Sequence, residues 1–163
     1  MTAAEPRPQD ERWLAEAVDR AARNVGEGGG PFAALLVVGD RLVSTGVNRV
    51  TRDLDPTAHA EVVAIRAACT ALNAFALPGA VLYSSCEPCP MCMASALWAR
   101  VDRVVFAADR DDAAAGGFDD REFYELFAGR DPATWPTKLE RLRPANATEP
   151  FDTWLATDDR VPY

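Results

Sequence analysis

The chain has 163 residues, 48% of them apolar and 26% charged, enough for one domain whose core needs no covalent staples. Its formal net charge is -8, and its basic residues are almost all arginines scattered singly from Arg7 to Arg160, which argues against nucleic acid as a partner because phosphate contacts require a basic face. Neither a run of about 18 apolar residues nor a basic segment followed by an apolar one occurs, so no membrane span or signal peptide is read and a cytoplasmic protein is expected.

Residues 1–8 carry two prolines and little that can pack, so they read as a loose tail before a domain starting at Gln9. From Glu11 to Val25, Trp13, Leu14, Ala17, Val18, Ala21, Ala22 and Val25 recur at helical spacing, and GEGGGP ends that helix. FAALLVV (32–38) and RLVSTGV (41–47), separated by Gly39-Asp40, read as a hairpin whose first strand is buried on both faces. RVTRDLDPT (49–57) is a polar loop. Residues 58–72 have helical character, with Thr57 available as N-cap and Pro56 just ahead of it. AVLYSS (80–85) is a short strand, CPMCMASALWAR (89–100) a helix with Pro90 in its first turn, and DRVVFAA (102–108) another strand. Beyond it a helix from Asp120 to Phe127, a weak strand from Leu139 to Leu142 and a short helix from Pro150 to Ala156 are expected. Helices interleaved with short strands predict one α/β sheet covered on both faces.

The chemistry concentrates in two places. His59, the one histidine, stands in His59-Ala60-Glu61 at the start of a predicted helix, and Cys86, Cys89 and Cys92 follow at three-residue intervals. In a reducing compartment such cysteines are metal ligands or reactive thiols rather than disulfide partners. Cys89 and Cys92 share one face of a helix's first turn, so two positive helix ends converge where thiolates are wanted. His59, Cys89 and Cys92 alone make an open catalytic zinc, whereas adding Cys86 closes the site into a structural one, and spacing leaves both possible. Glu61 favours the open form, because a carboxylate beside the ligands serves proton transfer. Pro88 favours it too, since it disfavours helical geometry at Glu87 and leaves Cys86 in the strand-to-helix connection. An iron–sulfur cluster needs a fourth thiolate, and Cys69 falls on an apolar helix face. A redox dithiol leaves His59 and Glu61 unexplained, and Ser84, Ser85 and Ser95 lie in no nucleophile elbow.

His59-Ala60-Glu61 followed by Pro88-Cys89-Pro90-Met91-Cys92 resembles the zinc-dependent cytidine/deoxycytidylate deaminase superfamily, with its H-x-E and P-C-x-x-C signature. GGPFAALLV, DPTAHAEVVAI, LYSSCEPCPMC, ALWAR, VVFAA and GFDD are similar to its guanine deaminase branch over most of residues 28–125. The resemblance implies a three-layer α/β/α sandwich with a central mixed sheet of about five strands. It implies one zinc per chain on His59, Cys89 and Cys92, Glu61 as the catalytic proton carrier and Cys86 outside the ligand set. It implies hydrolysis of guanine to xanthine and ammonia. Substrate contacts carried over by position are Asn48, the backbone N–H of Ala60, Phe32, Trp98, Asp120 (or its neighbour Asp119) and the terminal Tyr163. A homodimer that exchanges residues from about 130 to 163 is implied as well, with Tyr163 completing the partner's pocket. Rival readings are deaminases of guanosine, cytidine, cytosine or s-triazines, a tRNA adenosine deaminase, which the acidic charge disfavours, and a zinc-stabilised interaction module.

Overall fold

The computed structural model describes residues 7–129 and 131–161, so the expectations for most of the tail and for Tyr163 lie outside the described residues. The chain divides into two compact units, one ending at Tyr124 and the other beginning at Glu125. In the first, the elements run α1 (Asp10–Gly26), β1 (Ala33–Val38), β2 (Arg41–Val47), α2 (Val50–Asp53), α3 (Ala60–Leu72), β3 (Ala80–Cys86), α4 (Pro90–Trp98), β4 (Arg103–Ala108) and α5 (Arg110–Ala115). Next, α6 (Arg121–Phe127) runs across the boundary, and a 3-10 turn (Pro132–Thr134) and α7 (Glu149–Ala156) belong to the second unit.

The strands form one mixed sheet in the order β2-β1-β3-β4. The hairpin β1–β2 and the pair β1–β3 are antiparallel, while β3 and β4 are parallel because α4 carries the chain back between them. Successive side chains point to opposite faces, and both faces are covered. Leu35, Val37, Val81 and Tyr83 pack with Trp13 and Ala17 of α1 on one side. Ala34, Leu36, Ala80 and Leu82 pack with Ala60, Ala64 and Ala68 of α3 and Ala96 of α4 on the other. The result is the three-layer α/β/α sandwich that the resemblance implied, with β1 and β3 buried from end to end apart from Val38.

The second layer of helices lies unusually close to the sheet. A Cβ added at Gly46 in β2 would come within 2.5 Å of the Ala64 amide nitrogen and closer still to the Ala60 carbonyl oxygen. Only a hydrogen at position 46 lets the start of α3 rest on the sheet, and the alanines of α3 supply the matching small surface. On the opposite layer, the buried Asp10 fastens α1. Its carboxylate accepts from the Tyr83 hydroxyl at 2.8 Å, from the Arg103 guanidinium at 2.8 and 2.7 Å, and from the Arg7 N–H. Those bonds, Arg103 foremost, hold the Asp10 carboxyl well below the usual carboxylate range.

Several expectations are corrected. The sheet among the described residues has four strands rather than about five, because Leu139 to Leu142 pairs with nothing as a strand and both leucines stay exposed. The loop 49–57 contains the short helix α2. Thr57 does not cap α3: its N–H and hydroxyl both donate to Asp55, at 2.8 and 2.7 Å, and the helix starts two residues later with His59 at the N-cap. α5 was not foreseen; the Asp109 side chain accepts from the Asp111 and Asp112 N–H groups while Asp112 reaches back to the Asp109 N–H. In the second unit the Phe127 and Trp135 rings meet edge to face at 5.3 Å. No helix among the described residues is long and apolar enough to cross a membrane.

Candidate active site

A cavity of about 660 Å3 opens on the first unit, and His59, Glu61, Cys86 and Cys89 line it. His59 and Cys89 occupy the N-cap positions of α3 and α4, with extended backbones (ψ 154° and 167°) and no side-chain capping bond. An N-cap side chain projects from the end of its helix, so the two residues turn toward each other across the gap between α3 and α4. Pro90 follows Cys89 at the first helical position, where the missing N–H costs nothing.

His59, Cys89 and Cys92 are the group of metal-capable donors that the described residues bring together. His59 Nδ1 lies 3.6 Å from Cys89 Sγ and 3.5 Å from Cys92 Sγ, and the two sulfurs are 3.6 Å apart. A tetrahedral zinc with ordinary Zn–S and Zn–N bonds separates its donors by about 3.8 Å (S to S) and about 3.6 Å (S to N). The three residues therefore fit zinc in both chemistry and spacing. Cys86 does not join them: its thiol points at the Asp109 carbonyl oxygen, 3.7 Å away. Burial pushes the Cys86 thiol up to about 11, far from thiolate chemistry.

The remaining electrostatics follow from the same geometry. The hydrogen bond between the two thiols draws Cys89 down and pushes the buried Cys92 up. Glu61, buried in the first turn of α3, lies 3.3 Å from the Ser84 hydroxyl and 3.4 Å from Cys92 Sγ, and burial raises its pKa.

Of the expected substrate residues, Asn48, Phe32 and Asp120 line the cavity. Asn48 Oδ1 accepts from the Val50 N–H at 3.3 Å. Phe32 meets the Phe118 ring edge to face at 5.0 Å. Burial raises the Asp120 pKa, whereas the neighbouring Asp119 is held down at about 2 by hydrogen bonds from Arg121. Ala60 has its side chain in the core, and its N–H belongs to the first-turn donors of α3. Trp98 departs from expectation: it ends α4, stands 66% exposed and does not reach the cavity wall. It faces the guanidinium of Arg100 instead, 5.9 Å from the ring centroid.

The reading of the sequence missed the residues that hold the ligand loop. Arg110 forms an ion pair with Glu87 and stacks 3.7 Å above the Tyr124 ring. The Tyr124 hydroxyl donates to the Pro88 carbonyl at 2.9 Å. Glu87 and Pro88 are thereby fixed just before Cys89, the kind of outer support that orients metal ligands. The spacing of Asp109 and Asp112 was the available signal for α5, whose first residue is Arg110.

A sandwich with His59, Glu61, Cys89 and Cys92 gathered at two helix ends defines a zinc-dependent deaminase. Residues 7–108 match the family described as the cytidine and deoxycytidylate deaminase zinc-binding region, and the chain belongs to it as a hydrolytic enzyme. It is 45% identical over 147 residues to the guanine deaminase of Bacillus subtilis (strain 168), covering 86% of this chain and 94% of that one. The tRNA-specific adenosine deaminase of the same organism is 38% identical over 100 residues, covering 61% of this chain and 62% of that one. The crystal structure of guanine deaminase from Bacillus subtilis superimposes with a TM-score of 0.90 at 40% identity, covering 94% of this chain and 98% of that one. A structure of guanine deaminase from Nitrosomonas europaea gives a TM-score of 0.64 at 32% identity, covering 72% and 67%.

Proposed function

We infer that the chain converts guanine and water to xanthine and ammonia. The observation that carries the reading is the triangle of His59, Cys89 and Cys92 with the Glu61 carboxylate against it, in the wall of a cavity of small-molecule size. The choice of guanine rests on the likeness to guanine deaminases, which extends over nearly the whole chain, whereas that to the tRNA enzyme of Bacillus subtilis stops at about three fifths of it. The acidic balance of the chain also speaks against an RNA substrate.

His59, Cys89 and Cys92 would hold the zinc, which when bound supplies a Lewis acid that makes hydroxide available near neutral pH. Glu61 carries the protons. It removes one from the water that attacks C2 of guanine and hands it to the adjacent ring nitrogen, then takes the remaining proton from the new hydroxyl on C2 and gives it to the departing amino group, so that ammonia leaves, a carbonyl remains and one C–N bond is exchanged for one C–O bond. Asn48, with Oδ1 already occupied by the Val50 N–H, offers its NH2 to the acceptors of the purine edge, and the Ala60 N–H offers another donor. Asp120 accepts from ring N–H groups, in preference to Asp119, whose oxygens are engaged by Arg121. Phe32 walls the flat ring.

We further propose a cytoplasmic homodimer in which residues from about 130 to 163 are exchanged, so that Tyr163 and Trp98 complete the pocket only in the assembly. Support comes from the exposure of Trp98 in the first unit and, separately, of Phe151 and Leu155 in the second, apolar side chains that a second copy would cover. The test is ammonia release from guanine, guanosine, cytosine, adenine and ammeline, with Glu61→Gln beside the wild type. Guanine should be preferred, and the variant should keep one zinc per chain while kcat falls by about 10²–10⁴-fold or more. Undiminished turnover by the variant would remove Glu61 from the chemistry, and a better substrate than guanine would change the substrate assignment.

A further inference from the structure

Asn24 lies in the last turn of α1 and is 1% exposed, yet its side chain makes no bond within its own helix. Its Nδ2 donates to two carbonyl oxygens, Gly30 at 2.8 Å and Asn48 at 3.0 Å. Its Oδ1 accepts from Arg52 Nη2 at 3.1 Å. This arrangement determines the orientation of the amide: reversed, it would set an oxygen against two carbonyls and an NH2 against a guanidinium. The three partners come from two segments that both line the cavity or flank it, the glycine loop 28–30 and the stretch 48–52. The Asn24 carbonyl also accepts from the N–H groups of Glu27 and Gly29, and the Thr51 hydroxyl donates to the Gly28 carbonyl. A Cβ at Gly29 would collide with the Asn24 side chain, so the loop is closed down upon this amide.

Resting on the assignment of Asn48 to the purine edge, we propose that Asn24 is a positioning residue for substrate recognition, oriented by Arg52 and acting through Asn48 and the Gly28–Gly30 loop. It touches neither the metal ligands nor the reacting atoms. Its two donors tie the Gly30 carbonyl to that of Asn48, whose side chain lies beside Gly30 in the pocket wall, and this junction sets how well the base is held and leaves the chemical step alone. A merely structural amide would lower thermal stability and zinc content without a selective effect on binding.

The test uses the full chain and three variants. Asn24→Asp keeps the size and the Arg52 partner but removes both donors, Asn24→Ala removes the whole amide, and Arg52→Ala, at a partly exposed site, frees the amide's orientation and also removes the ion pair of Arg52 with Glu27. KM for guanine and the dissociation constant of 8-azaguanine, measured by calorimetry, should rise about tenfold or more in the first two variants and a few-fold in the third, with kcat within about threefold and one zinc per chain. Unchanged KM and dissociation constant in Arg52→Ala and in either Asn24 variant would overturn the proposal, as would parallel loss of kcat and zinc. Failure of the wild type to release ammonia from guanine would instead remove the functional reading itself.

Discussion

Replacing Gly46 by alanine should damage stability and catalysis together, although residue 46 touches no substrate. The new Cβ would lie within 2.5 Å of the Ala64 nitrogen, ordinary contact begins at 3.4 Å, and the Ala60 carbonyl is nearer still, so α3 must retreat from β2 by at least about 0.9 Å. Both obstructing groups are backbone, so no side chain can swing aside. Overpacking of this kind costs about 1–3 kcal/mol. In a chain of this length that lowers Tm by about 2–12 °C. The same retreat moves His59 and Glu61, at the start of α3, away from Cys89 and Cys92 of α4, and a misplacement near 1 Å costs on the order of 10²-fold in rate. Gly39→Ala is the control: it has open space around the new carbon but a φ of 62°, so it should cost about 1–2 kcal/mol with kcat unchanged. Urea unfolding, zinc content and guanine kinetics would be measured on all three proteins. A Gly46→Ala protein with wild-type Tm and kcat would refute the claim that backbone contact with β2 sets the position of α3.

Three further outcomes follow, two from the geometry of the structure and one from the proposed exchange of the tail. Cys86→Ser should retain one zinc per chain and most activity, whereas Cys89→Ser should lose the metal; zinc loss from the Cys86 variant, measured by atomic absorption, would restore a four-ligand site. Because Asp10 titrates below its ordinary range when folded, the stability it lends is complete above about pH 4 and is lost as pH falls below that value. Urea midpoints of the wild type should therefore drop more steeply from pH 5 to pH 2 than those of Asp10→Asn, and Arg103→Met at pH 7 should cost about 3 kcal/mol or more by stranding the buried carboxylate. Deleting Tyr163 should raise KM for guanine, and light scattering should find a dimer; unchanged kinetics in a monomeric protein would dismiss the exchanged tail.

What the sequence disclosed was whatever depends on short-range periodicity. The unbroken apolar run in residues 33–38 and the 3.6-residue recurrence from Trp13 to Val25 predict β1 and α1 to within a residue or so, and His59, Cys89 and Cys92 stand out by type and spacing. Where several local partners compete, the reading went astray. Thr57 looked like an N-cap until Asp55, two residues earlier, took its hydroxyl. Arg110, Tyr124 and Asn24 act through partners 6 to 36 residues away, and no pattern within a turn or a strand records such bonds. Leu139 and Leu142 have apolar character but no neighbouring strand to pair with, and propensity alone does not build an edge.

The His-x-Glu spacing poses a geometric difficulty that the fold resolves. Two residues two apart within a helix point about 200° away from each other, so they cannot both face one site. Here His59 is not in the helix: it is the N-cap, its backbone still extended, and only Glu61 carries helical geometry. Cys89 repeats the device at the start of α4, with Cys92 three residues on, the same N-cap and N3 relation by which a capping box brings two side chains together. In both helices the side chain that ordinarily caps the end is turned to the metal site, so the first-turn N–H groups keep their positive character instead of having it spent on a cap. That costs each helix about 1 kcal/mol of capping stability. It leaves two positive dipole ends beside two sulfurs that must be anionic, which is where a zinc site with an open position benefits from them.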